Sequence, residues 1–471
     1  RRIFLSWVAD AVTTIVGFVG TIYIARTLGA GPLGVFVLAL SVVKWLRISD
    51  LGITQAAIKH ISEGETENKV VSATLALQTT LTVLAVGGIL LFREQLNAYV
   101  GGEFAGFIAV LFVLNYLASG TVSQILRGHR HVHVSNGLYA FERTTRVLFQ
   151  IAFVILGLSV TGLMLGMATS LALMTLVGSV YVLRNLDIDL AMPSVETFSS
   201  LYDYAKYSVL GVVKSQAFTW TDVLVMGFFV EKSVIGVYNV SWTLAMSFLI
   251  LGNAIQKNLF PEVSNLFADG RSDRAKDLLS ESMLYAGLFP IAGIVGALVV
   301  GRPVLSVYGS EFTTGKYVLV VLICVALLRA YEGQIHAVLD GVDRPDLTFK
   351  LNALFTVSNL TLNVALIPLY DGLGAAVATT LATSLSVVFG WRMTRSLVGS
   401  TFPVSGVLTQ LVAAATMGAV VLWARTLLPP VDLLHLLPLV ALGAVTYFAV
   451  VLTLSSEIRS KALSIATSVG R

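Results

Sequence analysis

Cysteine is almost absent from this chain: Cys324 is the only one among 471 residues. That excludes an intrachain disulfide and a cysteine-based metal site. Charge is scarce as well. Asp, Glu, Lys and Arg together make up 12% of the residues, against roughly 25% in soluble domains. No stretch is polar enough, or long enough between apolar runs, to form a soluble catalytic domain. There is no Walker A loop, no DxD-type site and no nucleophile elbow, so neither nucleotide hydrolysis nor any enzyme activity is expected. Segments that alternate in polarity over about 10 residues, as barrel strands do, are missing too, which excludes a β-barrel. The formal net charge of +4 is too small and too scattered to announce a nucleic-acid partner. No metal and no resident cofactor is expected.

Long apolar runs are what the chain has instead. Hydrophobic residues reach 56% and the mean hydropathy is +0.83. A hydrocarbon core of about 30 Å needs about 20 apolar residues of helix. Fourteen stretches meet that need: 3–27, 34–60, 70–92, 104–127, 134–157, 161–184, 203–229, 234–260, 277–300, 316–340, 347–369, 372–396, 403–427 and 433–455. The expected fold class is therefore an all-α integral membrane protein with fourteen transmembrane helices. Loop Lys and Arg collect on the side of the N-terminus, as at Arg127, Arg130, Arg271, Arg274, Lys276, Arg392 and Arg395, and are sparse on the other, as at Arg93, Arg302 and Arg425. The positive-inside rule then puts both termini in the cytoplasm and the protein in the cell membrane. The chain opens at Arg1, so a short trimmed N-terminal piece is expected. The first apolar segment is too long for a removable signal peptide.

An internal repeat is visible. GLMLGMATSLA at 162–172 answers GLGAAVATTLA at 372–382, Leu126-Arg-Gly128 answers Leu339-Asp-Gly341, and Leu33-Gly-Val-Phe36 answers Ile235-Gly-Val-Tyr238. The offset stays near 202 to 213 residues. Six helices precede the second copy, so both copies start on the same side. That implies a parallel repeat with substrate between the halves. The expected division is a first lobe over 1–184, a cytoplasmic linker over 185–202, a second lobe over 203–397, and two further helices with a cytoplasmic tail over 398–471.

Several ionisable residues interrupt the apolar runs, and in hydrocarbon such residues are expensive and usually functional. Lys44 and Arg47 share a face deep in the second span, where either a cavity role or snorkelling to the interface would account for them. Arg143 and Arg146 form a stripe with Tyr139 and Gln150 on the fifth span, read as a cationic wall or as part of a structural ion pair. Glu142, beside them, is positioned to neutralise Arg143 in part. Lys214 and Asp222 lie along the seventh span, with Asp222 either a fixed counter-charge or a titratable coupling group. Arg329 with Glu332 marks the tenth span. Lys257 reads best as an interfacial anchor. Asp10, on the first span, suits proton or sodium coupling, or a wet vestibule. Asn352, Asn359 and Asn363 on the eleventh span suit interhelical hydrogen bonds better than sugar hydroxyls. His129, His131 and His133 lack Cys or carboxylate partners nearby and suit lipid headgroups better than metal. The candidate substrate-binding set is thus Lys44, Arg47, Arg143, Arg146, Lys214 and Arg329, with Asp10, Glu142 and Asp222 as coupling groups or counter-charges. Such a lining attracts phosphate, to which Arg and Lys make strong charge-assisted hydrogen bonds.

The segment Ile48-Ser-Asp-Leu-Gly52 followed by Lys59-His-Ile-Ser62 resembles the second-helix pattern of Wzx-type polysaccharide biosynthesis flippases. Asp222 followed by Gly236-Val-Tyr238, then Phe260-Pro-Glu262 and Tyr308-Gly-Ser-Glu-Phe312, are similar to further landmarks of that family, in order, over most of residues 1–397. The resemblance implies the MATE-like fold of the MOP superfamily: two six-helix lobes in a V, plus two extra helices. It also implies alternating access that moves a lipid-linked oligosaccharide, on a polyprenyl or dolichyl phosphate or pyrophosphate, to the outer leaflet. Membrane lipids surround such a protein, glycan polymerase or glycosyltransferase machinery are candidate partners, and a monomer is expected. The rival expectation is a MATE-type exporter coupled to protons or sodium, although its cationic substrates would meet a cationic interior. A membrane glycan polymerase or ligase would need a larger outer loop than 301–315 provides.

Overall fold

In hydrocarbon every backbone N–H and C=O must be satisfied within the chain, so long apolar runs become helices. The computed structural model describes residues 16–64, 67–189, 191–269, 271–427 and 433–461, and all regular structure among them is helical. Among the described residues, eight helices are long and apolar enough to cross a membrane, or up to ten if each of two bent pairs counts as one crossing. Large apolar side chains face outward along them: Leu84 is 66% exposed, Leu91 76%, Leu183 82% and Leu369 70%. Contiguous exposed apolar surface on this scale suits lipid rather than water. The chain divides into two compact units, residues 1–236 and 237–471.

The first unit holds α1 (Val16–Leu28), α2 (Ala30–Leu46), α3 (Ile48–Glu63), α4 (Glu67–Leu91), the short α5 (Arg93–Val100), α6 (Ala105–Asn115) and α7 (Gln124–Gly128). A π-helical segment, Tyr116–Ser123, joins α6 to α7. Then come α8 (Val132–Ile155), α9 (Ser159–Asn185), α10 (Val195–Gln216) and α11 (Asp222–Phe229), with a second π-helical segment, Ala217–Thr221, between the last two. Its core gathers Ala39, Val43, Leu111, Phe112, Met164 and Met174. The helix α10 packs along α3, so the span expected to open the second lobe lies in the contact unit that ends at Gly236.

Two glycines allow an unusually close approach in this unit. A Cβ on Gly34 would stand 1.7 Å from the carbonyl oxygen of Lys232, and one on Gly236 would stand 2.0 Å from that of Ala30. Each glycine thus receives the carbonyl of the residue four places before the other. The ammonium of Lys232 donates to the carbonyls of Tyr99 (2.7 Å) and Gly227 (3.1 Å).

The helix α12 (Lys232–Ser247) carries the chain out of the first unit, and α13 (Ile250–Ala268), α14 (Ser272–Ser306), α15 (Lys316–Gly341), α16 (Pro345–Val398), α17 (Val404–Thr426) and α18 (Leu433–Leu454) build the second. The helical path of α16 breaks at Asp371, whose φ is 51°. A buried cluster including Leu259, Val263, Leu279, Met283, Ile335 and Leu351 forms the core. The last two helices are fastened to α14 by side-chain bonds to its backbone. Gln410 Nε2 donates to the Leu284 carbonyl (2.8 Å), Tyr447 Oη to that of Leu288 (2.9 Å), and Arg425 to that of Val299 (2.5 Å).

Bends interrupt two crossings. α2 and the portion Asp50–Glu63 of α3 meet at 54°, and α12 and α13 at 51°. The breaks fall near residues 47 and 248, an offset close to that between Leu33–Phe36 and Ile235–Tyr238.

Candidate functional site

The bend after α2 sets the geometry of the first cationic group. Arg47 sits at the break and is only 5% exposed. Its guanidinium donates to Ser119 Oγ at 2.6 Å and to Asp50 Oδ2 at 2.8 Å. Ser119 belongs to the π-helical segment, whose wider turn re-aims side chains relative to a regular helix. One turn before Arg47, the half-buried Lys44 donates to Asn115 Oδ1 at 3.3 Å. Its ammonium interacts electrostatically with Arg47, Arg146 and Glu142. Glu142 and Arg146, a turn apart on α8, pair at 3.7 Å. The hydroxyl of Ser170 on α9 donates to Glu142 at 3.2 Å. Lys44, Arg47 and Arg146 therefore stand against Asp50 and Glu142: three cations and two carboxylates, a local excess of positive charge.

Other expected residues fall elsewhere. Arg143 is exposed and lies beside α1, 3.6 Å from where a Cβ on Gly17 would be. Glu142 pairs with Arg146 rather than its neighbour Arg143, because residues four apart face each other on a helix and adjacent ones do not. Lys214 and Asp222, 4% and 1% exposed, flank the second π-helical segment. Asp10 lies outside the described residues.

In the second unit Arg329 pairs with Glu332, which is 1% exposed. The carboxylate also accepts from Ser386 on α16 at 2.5 Å and stands 3.8 Å from the His336 imidazole. In each unit, then, a buried glutamate is held by an arginine on its own helix and a serine from another. Asn359 and Asn363 are fully buried, and Asn359 donates to Thr379 Oγ1 at 2.9 Å, bracing the two parts of α16 across the break at Asp371. His129 approaches Glu67 at 3.7 Å, and no group of three or more metal-ligating side chains occurs among the described residues.

Asn115, Ser119 and Ser170 had not stood out in the sequence, and Asp50 only as a member of the Ile48–Gly52 motif. The spacing of three between Arg47 and Asp50 was a readable signal. The other three are joined to the cluster only by tertiary packing.

A family model described as "Polysaccharide biosynthesis protein" matches residues 1–267. A Haloferax volcanii protein described as "Probable flippase AglR" is 32% identical over 469 residues, covering 98% of this chain and 97% of that one. A solved structure described as "Lipid II flippase MurJ, inward closed conformation" superposes with a TM-score of 0.81 at 15% identity, over 98% of this chain and 99% of its own. An inward-facing multidrug resistance MATE family transporter of the MOP superfamily gives 0.70 at 14% identity, over 82% and 95%.

Proposed function

We propose, from the premise that this chain belongs to the polysaccharide biosynthesis protein family, that it is a flippase for a lipid-linked oligosaccharide. It is a multi-pass membrane protein of MOP type and not an enzyme. The observation that carries the reading is the excess of cations at Lys44, Arg47 and Arg146. An anionic phosphate or pyrophosphate headgroup cannot cross hydrocarbon unaided. A wet cavity with fixed counter-charge lowers that barrier while the polyprenyl or dolichyl tail stays in lipid. Lys44, Arg143 and Arg146 are the proposed headgroup contacts. Arg47 is proposed as a buried partner that fixes the α2 bend, and Lys214 and Arg329 as further sources of positive potential. Glu142, Asp222 and Asp10 are counter-charges or coupling groups, with protons or sodium as the coupling ion.

The wider architecture belongs to the same reading: fourteen crossings, both termini cytoplasmic, a parallel repeat, and alternating access in the cell membrane. Two bends at repeat-equivalent positions support the repeat, as does the exchange of carbonyls between Gly34 and Gly236. Helices such as Val132–Ile155 and Val195–Gln216 carry several charged residues, yet each has the length of a crossing. The drug-exporter alternative rests on fold likeness alone, and its cationic substrates are repelled by the same cluster.

The test is flipping of a fluorescent polyprenyl-pyrophosphate oligosaccharide in proteoliposomes. Each charge-assisted hydrogen bond lost is worth about 1.5–3 kcal/mol, so Arg146→Ala and Arg143→Ala should slow flipping about tenfold or more at normal thermal stability. Unchanged rates would remove these residues from the mechanism. Export of cationic dyes without any flipping would replace the function.

A further inference from the structure

The second unit contains a cavity of about 610 Å³ lined by Asn253, Gln256, Lys257, Phe260, Ala337 and Asp340. Ligand cavities run from roughly 300 to 1,000 Å³. The first four residues are spaced three, one and three apart, so they form one face of α13. Ala337 and Asp340 supply the facing wall from α15. The Asp340 carboxylate is oriented by a hydrogen bond from Thr348 Oγ1 at 2.7 Å. The amide of Gln256 reaches over α15 only because residue 333 is glycine: a Cβ there would come within 2.7 Å of Gln256 Oε1. The side chains of Asn253, Gln256 and Lys257 make no hydrogen bond or ion pair among the described residues. Their donors and acceptors are free for a ligand.

The chemistry of this wall differs from that of the Lys44–Arg47–Arg146 cluster. One ammonium is matched by one carboxylate, so there is no excess of cation to draw a phosphate. Two amides both donate and accept, as sugar hydroxyls do. Phe260 is 46% exposed and offers an aromatic face to the apolar C–H face of a pyranose. A group with alternating polar edge and apolar face, neutral or weakly acidic, fits such a set. We infer that this pocket takes the saccharide part of the substrate. Lys257 is then a sugar ligand, able to meet a hydroxyl or a uronic carboxylate, rather than an interfacial anchor. This inference rests on the flippase reading and assigns within it the residues that select the glycan.

The experiment uses two probes on the whole protein in nanodiscs. One is the free oligosaccharide released by mild acid from the lipid-linked pool of the source cells, which carries neither lipid nor phosphate. The other is polyprenyl phosphate, which carries no sugar. Wild type should bind both. Gln256→Ala with Lys257→Ala should weaken the free glycan about tenfold or more, the effect of roughly 1.4 kcal/mol, and leave polyprenyl phosphate unchanged. Arg146→Gln should do the reverse. Phe260→Leu, which keeps the surface apolar, should weaken the glycan alone. Glycan binding that is absent in wild type, or undiminished in both pocket variants, overturns the inference even when polyprenyl phosphate still binds. Failure of both probes in wild type is the distinct result that overturns the flippase reading itself.

Discussion

Among single residues, Arg47 shows how a membrane cation can be both structural and electrostatic. Its charge is held by Asp50 and Ser119 in a buried position. Removing one partner of a buried pair costs about 3–5 kcal/mol because the other charge is left stranded, whereas replacing both by apolar groups is often neutral. Asp50→Ala should therefore lower the unfolding temperature sharply, and Arg47→Met combined with Asp50→Leu should recover most of it. Equal destabilisation by the single and double variants would contradict the pairing. Glu142 offers a second check. Glu142→Gln keeps the side-chain shape but removes the charge facing Arg146 and Lys44. Headgroup affinity should then rise, read as tighter polyprenyl phosphate binding, while release and flipping slow. The burial of Arg47 was legible from its place in an apolar run. The partners Asn115 of Lys44, Ser119 of Arg47 and Ser170 of Glu142 were not, because contacts across 71, 72 and 28 residues leave no local pattern.

Single helices carry a different lesson. Leu33-Gly-Val-Phe36 and Ile235-Gly-Val-Tyr238 look like weak echoes of each other in sequence. In the structure their glycines let the first turns of α2 and α12 touch backbone to backbone. Overpacking a tight contact costs about 1–3 kcal/mol, so Gly34→Ala and Gly236→Ala should each lower thermal stability. Their effects should be non-additive, since either methyl alone already separates the helices. Strict additivity in a double-mutant cycle would argue against a shared contact. In the sequence α17 and α18 follow the expected duplication, but no local pattern signalled their docking on α14. Polar interhelical bonds in membranes average about 0.6 kcal/mol, so Tyr447→Phe and Gln410→Leu should each loosen α17 and α18 by about that amount. Faster protease cleavage in the segment 427–433 is the readout.

For the whole molecule, the single cysteine makes topology directly testable. In a Cys324→Ala background, one new cysteine at Arg130 and another at Arg302 should react with a membrane-impermeant maleimide from opposite sides. The cysteine at position 130 should be labelled only after the cytoplasmic face is opened. Labelling of both from the same side would refute the fourteen-crossing orientation.

Composition alone determined that the chain is helical and membrane-embedded, because about 20 consecutive apolar residues admit no other way of satisfying a backbone in hydrocarbon. The order of weak motifs brought the family into view. Only the tertiary structure decided which charges meet. It paired Glu142 with Arg146, locked Arg47 to Asp50, buried Asn359, and left Asn253, Gln256 and Lys257 unpaired around an open pocket. The physical reason is that helical periodicity fixes which face a residue occupies, while packing against distant helices fixes what that face touches.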